Sequence, residues 1–324
     1  MIYGNPSTPD PAFNASLDAY VLWKRQKGAD VRVASTTTTG TSTSSIKTYL
    51  QNLYNDITTR PDFIIILGDV SGSYTIPTFT VSSGGGDYPY THLAGTDGIG
   101  DVFIGRISVE NISQLQILMN KIYLYERDID LATADWLNRG LLVGDWDPSG
   151  ISTVYINKYL KESALVVNPL YTFTESYNSN PSAAVSNTAI NQGVGIFNYR
   201  GYIGMSGWSP GSSLINGYKL PHAIIITCST GNFATGLGTT EAFIRLGTTA
   251  SPAGAVTATG MSTSSTHTTF NNCLNGGMIA GMYQYGQRTM GEILLSGKVY
   301  MNQIFGVSSP TSVTNFTHWC NLMG

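Results

Sequence analysis

Cysteine is scarce in this chain: Cys228, Cys273 and Cys320 are the only three in 324 residues. That is too few for a disulfide-dense scaffold, and no Cys-x-x-Cys spacing offers a zinc or redox pair. At least one thiol is expected to be free. Charge is also scarce, with Asp, Glu, Lys and Arg at 11% against roughly 25% in ordinary soluble domains. The 17 basic and 20 acidic residues leave a net charge of −3 and no broad positive field, which sets nucleic acid aside as a partner. No run of about 18 apolar residues is present, so no membrane span is expected. The opening MIYGNPSTPD lacks the basic start and apolar stretch of a signal peptide. The chain opens in a strand-like segment and stops at HWCNLMG, so a segment of a longer protein is expected. What is plentiful is apolar material, 42% of residues with 11% aromatic, ample for packed cores and incompatible with disorder. Ser, Thr, Gly and Asn fill the polar surface, a composition that suits an extracellular setting.

The apolar pattern alternates between two periods. Leu17 to Trp23, followed by a basic stretch and Gly28, reads as a short helix with cations at its C-terminal end. VRVAST reads as a strand, Ser44 to Thr58 as a helix after Ser/Thr caps, and PDFIIILGD as a buried parallel strand. DVFIGRI, GLLVGDW, GIFNYRG, HAIIITC and GAVTATG continue as strands, with helices at Ile112–Arg127 and Thr153–Glu162. This rhythm predicts an α/β fold with a mostly parallel sheet and helices on both faces. The charged YERDIDLATADW suggests a division near residue 130, giving subdomains 1–130 and 131–324. Val70–Tyr90, with SSGGGDYPY, reads as a long surface loop or hairpin.

Ligands of parallel sheets bind beyond the carboxyl ends of the strands. That singles out Asp69, Asp145, Asp147, Tyr202, Cys228 and His267, expected along one rim. Cys228 ends a strand and is followed by Ser-Thr-Gly-Asn-Phe, where a thiolate nucleophile can be exposed. Cys273 and Cys320 stand in apolar surroundings and read as core. His92 and His318 read as structural, and His222 starts the Cys228 strand, about 20 Å away at 3.3 Å per residue. His267 is the one histidine expected at another carboxyl end, as a candidate base.

Several stretches together resemble the gingipain family of cysteine peptidases: VLWKRQKGADV, FIIILGD followed by YTIPTF, DYPYTHLAGTDGIGDVFIGRISV, the helix ending YERD, GIFNYRGYIGMSGW, IITCSTGNFATGLGTTEAFIRLGT and FTHWCNLMG. The resemblance implies a caspase-like three-layer sandwich and a nucleophile at Cys228 in CSTGNF. Asn198, Tyr199, Gly201 and Trp208 of that pattern are present. The family's histidine position is occupied by Tyr202, and the glycine after it by Ile203. A phenol with a pKa near 10 is no general base at neutral pH, and loss of a positioned base costs about 10²- to 10⁴-fold in rate. His267 is the candidate replacement.

The resemblance further places Asp147 near the carboxylate that orients the family's histidine, with a capping or turn role in DWDPSG as the alternative where no histidine stands at 202. Its oxyanion donors would be the N–H groups of Ile203 and Cys228, with Gly201 and Trp208 as neighbours. The specificity aspartate of arginine-selective members aligns near Gly150, so arginine selectivity is not expected. No cofactor is required, while structural calcium has Asp87, Asp97 and Asp101 as candidate donors, with a plain Asp-Gly turn as the simpler reading of Asp97. Protein or peptide substrates, secretion or surface display by a bacterium, and further immunoglobulin-like and type IX secretion-signal domains are also implied. Three functions follow: a cysteine endopeptidase, a catalytically impaired homologue that binds peptide or assembles surface proteins, and a sortase-like transpeptidase.

Overall fold

A computed structural model of the chain describes every residue except Ser7. The strands are β1 (Ile2–Tyr3), β2 (Ala34–Ser35), β3 (Phe63–Leu67), β4 (Phe79–Val81), β5 (Gly84–Gly86), β6 (Phe103–Ile107), β7 (Arg139–Asp145), β8 (Thr172–Asn178), β9 (Ile196–Arg200), β10 (His222–Ile225), β11 (Thr257–Met261) and β12 (Cys320–Met323). Ten of them form one sheet in the order β2-β1-β3-β6-β12-β11-β10-β9-β7-β8, and β4 pairs with β5 as a separate hairpin. The continuous apolar runs seen in the sequence are the central strands, as expected where both faces are covered.

Within the large sheet every pairing is parallel except β11 with β12. Met323 lies beside Arg106 in parallel and beside Ala258 in antiparallel register. The strands β1, β2, β3, β6 and β12 therefore run one way, and β7 to β11 the other. Strands from before residue 130 fill one end of the sheet and those after it the other, with β12 returning between them. The reversal corrects the expectation of a single rim. Asp69 follows β3 and lies at the edge opposite Cys228, where it accepts from Arg245 at 2.9 Å.

Helices cover both faces. On one lie α1 (Pro11–Gln26), α4 (Ile112–Glu126), α6 (Ala183–Gln192) and α7 (Thr239–Arg245); Phe13, Leu118, Ile190 and Phe243 meet Leu141, Phe197 and Ile225 of the sheet there. On the other lie α5 (Ser152–Val167), α8 (Thr268–Tyr283), α9 (Met290–Phe305) and α10 (Pro310–Trp319), whose Leu160, Leu274, Leu294 and Phe316 meet Leu142, Ile196 and Ile224. Successive strand residues thus feed opposite cores, as the two-residue period of a strand requires. Near the N-terminal end, α3 (Thr43–Asn55), preceded by the single turn α2 (Thr36–Thr39), packs Ile46 and Leu50 on Ile64 and Ile66. The result is a three-layer sandwich, one mostly parallel sheet between two layers of helices.

Local chemistry sets the helix starts. Asp10 accepts the N–H groups of Ala12 and Phe13 ahead of Pro11, and Thr289 and Glu292 close a reciprocal capping box on α9. The segment read as a surface loop is partly buried instead. Its hairpin lies against α10, and a Cβ on Gly86 would come 2.0 Å from the carbonyl of His318, so the glycines are what permit that approach.

Candidate active site

Cys228 sits three residues beyond β10, half-buried, in a turn fixed from several sides. Thr230 donates its hydroxyl to the carbonyls of Ile225 and Thr227 at 2.6 and 2.9 Å. The N–H of Ser229 donates to Thr263 and that of Gly231 to Met261, at 2.9 and 2.8 Å, tying the turn to the end of β11. Ser229 has φ of 57°, a left-handed conformation costly for a residue with a Cβ and held by these bonds.

The partner of the sulfur is Thr266, whose Oγ1 lies 3.0 Å from Sγ. Asn271 on α8 donates to the same hydroxyl at 2.9 Å. His267, the neighbour in sequence, is exposed and occupied elsewhere: it caps α8, its Nδ1 accepting the N–H of Thr269 at 3.2 Å, with its ring edge-on to Phe270. The structure thus brings Thr266, and not His267, to the sulfur. His222 is bonded to Thr257, while His92 and His318 lie together between the hairpin-side loop and α10, their rings 5.4 Å apart.

At the neighbouring end of β9, Gly201 accepts the hydroxyl of Thr227 at 2.6 Å. A Cβ on Gly201 would lie 2.6 Å from Cβ of Asp145, so only glycine fits between these strand ends. Tyr202 is 48% exposed and Ile203 36%, and the Tyr202 phenol makes no hydrogen bond among the described residues. The chain then passes through three left-handed residues, Gly204, Met205 and Ser206. Met205 is buried as the turn folds inward, and Ser206 Oγ bonds the carboxylate of Asp145 and lies 2.9 Å from the Tyr199 phenol. Burial pushes the Tyr199 phenol up to about 12. Among the described residues, the backbone N–H groups of Cys228 and Ile203 donate to no other protein group, which leaves them available to an incoming oxygen.

Other expected assignments need correction. The buried carboxylate at the end of β7 is Asp145, which accepts the N–H groups of Asp147 and Asn180 at 3.1 and 3.2 Å. Asp147 itself is exposed, because the chain leaves the strand at Trp146. Trp208 is a core residue: its ring packs on Phe197 and Phe243, each at 5.6 Å, and its Nε1 donates to Asn187. The three calcium candidates are separated by their tasks. Asp87 pairs in bidentate fashion with the buried Arg106 at 2.7 Å, Asp97 accepts the N–H of Ile99, and Asp101 accepts those of Leu93 and Ala94. No group of three or more His, Cys, Asp or Glu side chains suited to a metal converges among the described residues. Burial pushes the thiols of Cys273 and Cys320 up to about 11, in keeping with core roles.

The sequence reading passed over Arg200. It is fully buried on the last residue of β9, with Nε donating to Asn272 at 2.8 Å and Nη1 to the carbonyl of Ile226. An arginine closing the strand-like IFNY stretch was the one available signal.

A three-layer α/β sandwich carrying a half-buried thiol just beyond the inner strand β10 fits a cysteine peptidase fold. The chain belongs to peptidase family C25, whose family model matches residues 5–324. It is 25% identical over 240 residues to gingipain R2 and to gingipain R1 of Porphyromonas gingivalis, a stretch covering 68% of this chain. That is 31% of gingipain R2 and 23% of gingipain R1, so the chain spans under a third of the length of these relatives. Its fold matches the crystal structure of the Arg specific cysteine proteinase gingipain R with a TM-score of 0.86 at 20% identity, over 96% of this chain and 74% of that one. A complex of gingipain R pro- and mature domains matches with a TM-score of 0.85 at 19% identity, over 100% and 78%.

Proposed function

We propose that this chain is a peptide-binding member of family C25 that retains the peptidase thiol but lacks the imidazole needed for rapid hydrolysis. The carrying observation is the surroundings of Cys228: the sulfur meets the hydroxyl of Thr266, and the position that resembles the family's histidine holds the exposed Tyr202. A hydroxyl with an ordinary alcohol pKa takes no proton from a thiol and gives none to a leaving amine on a useful timescale. Peptide hydrolysis is therefore expected to fall about 10²- to 10⁴-fold below that of a base-assisted enzyme.

The free N–H groups of Cys228 and Ile203 support a role in holding a peptide carbonyl, and the low charge content suits an extracellular setting. Protein or peptide ligands follow from the family. The test is turnover of a fluorogenic peptide library by the wild-type chain, Cys228→Ala and Tyr202→His, with binding of the same peptides measured on Cys228→Ala. Binding without cysteine-dependent cleavage is expected. Cleavage by the wild type that Cys228→Ala abolishes and Tyr202→His does not improve would overturn the proposal in favour of an endopeptidase with another base.

A further inference from the structure

The two ends of the large sheet are finished differently. At one, β2 is two residues long, too short to template another strand. At the other, β8 runs for seven residues, Thr172–Asn178, and pairs only with β7. Its register with β7 is unbroken from Thr172 to Asn178, so no bulge turns the edge aside, and TFTESYN contains no proline or lysine. Those are the devices that ordinarily blunt an exposed edge. The outward N–H and C=O groups of β8 therefore face no other strand among the described residues.

The flanking helices leave this edge open. Between β8 and α6 lies a groove of about 290 Å³ lined by Thr174, Ala184, Val185, Thr188, Ala189 and Gln192, with no charged group among them. On the opposite face Phe173 and Tyr177 pack, partly buried, on the core beneath α5 and α8, and between them Glu175 pairs with Lys161 of α5. By the two-residue period of a strand, Thr172, Thr174 and Ser176 thus share the α6 face, and Phe173, Glu175 and Tyr177 the α5 face.

We infer that β8 is a docking edge for a second copy of this chain, the two β8 strands running antiparallel about a two-fold axis at Glu175. This register pairs all seven residues of each strand. Phe173 then lies beside Tyr177 of the second copy, an aromatic cross-strand pair made twice by the symmetry. Thr174 lies beside Ser176 of the second copy, hydroxyl next to hydroxyl, on the side of the α6 groove. Glu175 falls opposite its own copy, an arrangement that repels when bare. Here each carboxylate arrives with its Lys161, so two ammonium groups and two carboxylates meet at the axis and their charges balance. An axis at Thr174 or Ser176 instead opposes Glu175 to an aromatic ring and leaves two residues of each strand unpaired. The strand's own sequence is therefore complementary to itself in one register, which selects a second copy over an unrelated extended segment.

The experiment is sedimentation velocity of the full chain from about 1 to 200 µM, for wild type, Thr174→Lys, Lys161→Glu and the exchanged pair Lys161→Glu with Glu175→Lys. Wild type is expected to pass from monomer to dimer within this range. Thr174 is exposed, so a lysine there is tolerated by the fold and is expected to weaken association about tenfold or more. Lys161→Glu is expected to do the same by gathering four carboxylates at the axis, and the exchanged pair to restore the dimer. A wild type that stays monomeric at every concentration overturns the inference, whatever the variants do. If that monomer binds the capped peptide TFTESYN, the edge belongs to an extended segment of another protein. A dimer that neither Thr174→Lys nor Lys161→Glu weakens also overturns it, because the contact then lies elsewhere on the surface.

Discussion

Thr266 Oγ1 lies 3.0 Å from the sulfur of Cys228 while accepting the side-chain N–H of Asn271. With that acceptor position filled, the hydroxyl hydrogen is free to point at the sulfur. A donor at a developing thiolate is worth about 1.4 kcal/mol or somewhat more. Thr266→Val is therefore expected to slow alkylation of Cys228 by iodoacetamide about tenfold, and Thr266→Ser to keep it. His267→Ala, which removes only a cap of α8, is expected to stay within about twofold of wild type. Equal rates in the wild type and Thr266→Val would show that this contact does not tune the thiol.

The Arg106–Asp87 pair fixes the segment after the hairpin to β6, with Arg106 also donating to the carbonyls of Gly68 and Ile76. Asp87→Ala leaves a buried guanidinium without its carboxylate, a loss of about 3–5 kcal/mol. The thermal midpoint is expected to fall by roughly 5–10 °C. Because Asp87 is engaged by arginine, addition of EGTA to the wild type is expected to leave the midpoint where it was. A shift of several degrees on chelation would restore calcium to this loop.

Acid sensitivity follows from His92 and His318. Burial pulls their pKa values down to about 4 and about 3, with Lys47 and Lys298 adding to the effect. Their unfolded values lie near 6.5, so as pH falls below about 6.5 the unfolded chain takes up protons that the folded one refuses. Stability from this pair is complete above that pH and declines progressively towards pH 4 and below. Urea midpoints measured between pH 8 and 4 are expected to drop, with a shallower slope in the His92→Gln, His318→Gln double variant. Parallel curves for the two proteins would place the acid sensitivity elsewhere.

The left-handed turn after β9 depends on Ser206. Ser206→Ala removes the hydroxyl that Asp145 accepts and leaves the buried carboxylate short of a donor, at a cost of about 1–3 kcal/mol. Limited proteolysis is expected to cut faster within residues 202–208, ahead of global unfolding. An unchanged cleavage pattern would mean that burial of Met205 alone holds the turn.

The α/β alternation and Cys228 were legible because buried parallel strands are written as apolar runs and a cysteine at a strand end is conspicuous. The strand reversal was not. It is decided by CNLM, four residues following three consecutive helices, with no turn signal to announce an antiparallel return. Asp145 and Asp147 are two residues apart, and sequence alone could not tell that the chain turns outward at Trp146 between them. Thr266 and Arg200 were missed for opposite reasons. The first is one of many hydroxyls in GMSTSSTHTT, and the second is a charge whose burial only the closed sandwich reveals.

The position of β12 has a consequence for how the molecule is assembled. Its Met323 pairs with Arg106, roughly two hundred residues earlier in the chain, and this strand is the last of the twelve to leave the ribosome. Until residues 320–323 are available, β6 and β11 face each other as open edges with unpaired backbone groups, prone to recruiting a foreign strand. Closure is slow where contacts are this distant. Losing so short a segment would leave two half-sheets, and not one sheet shortened by a strand.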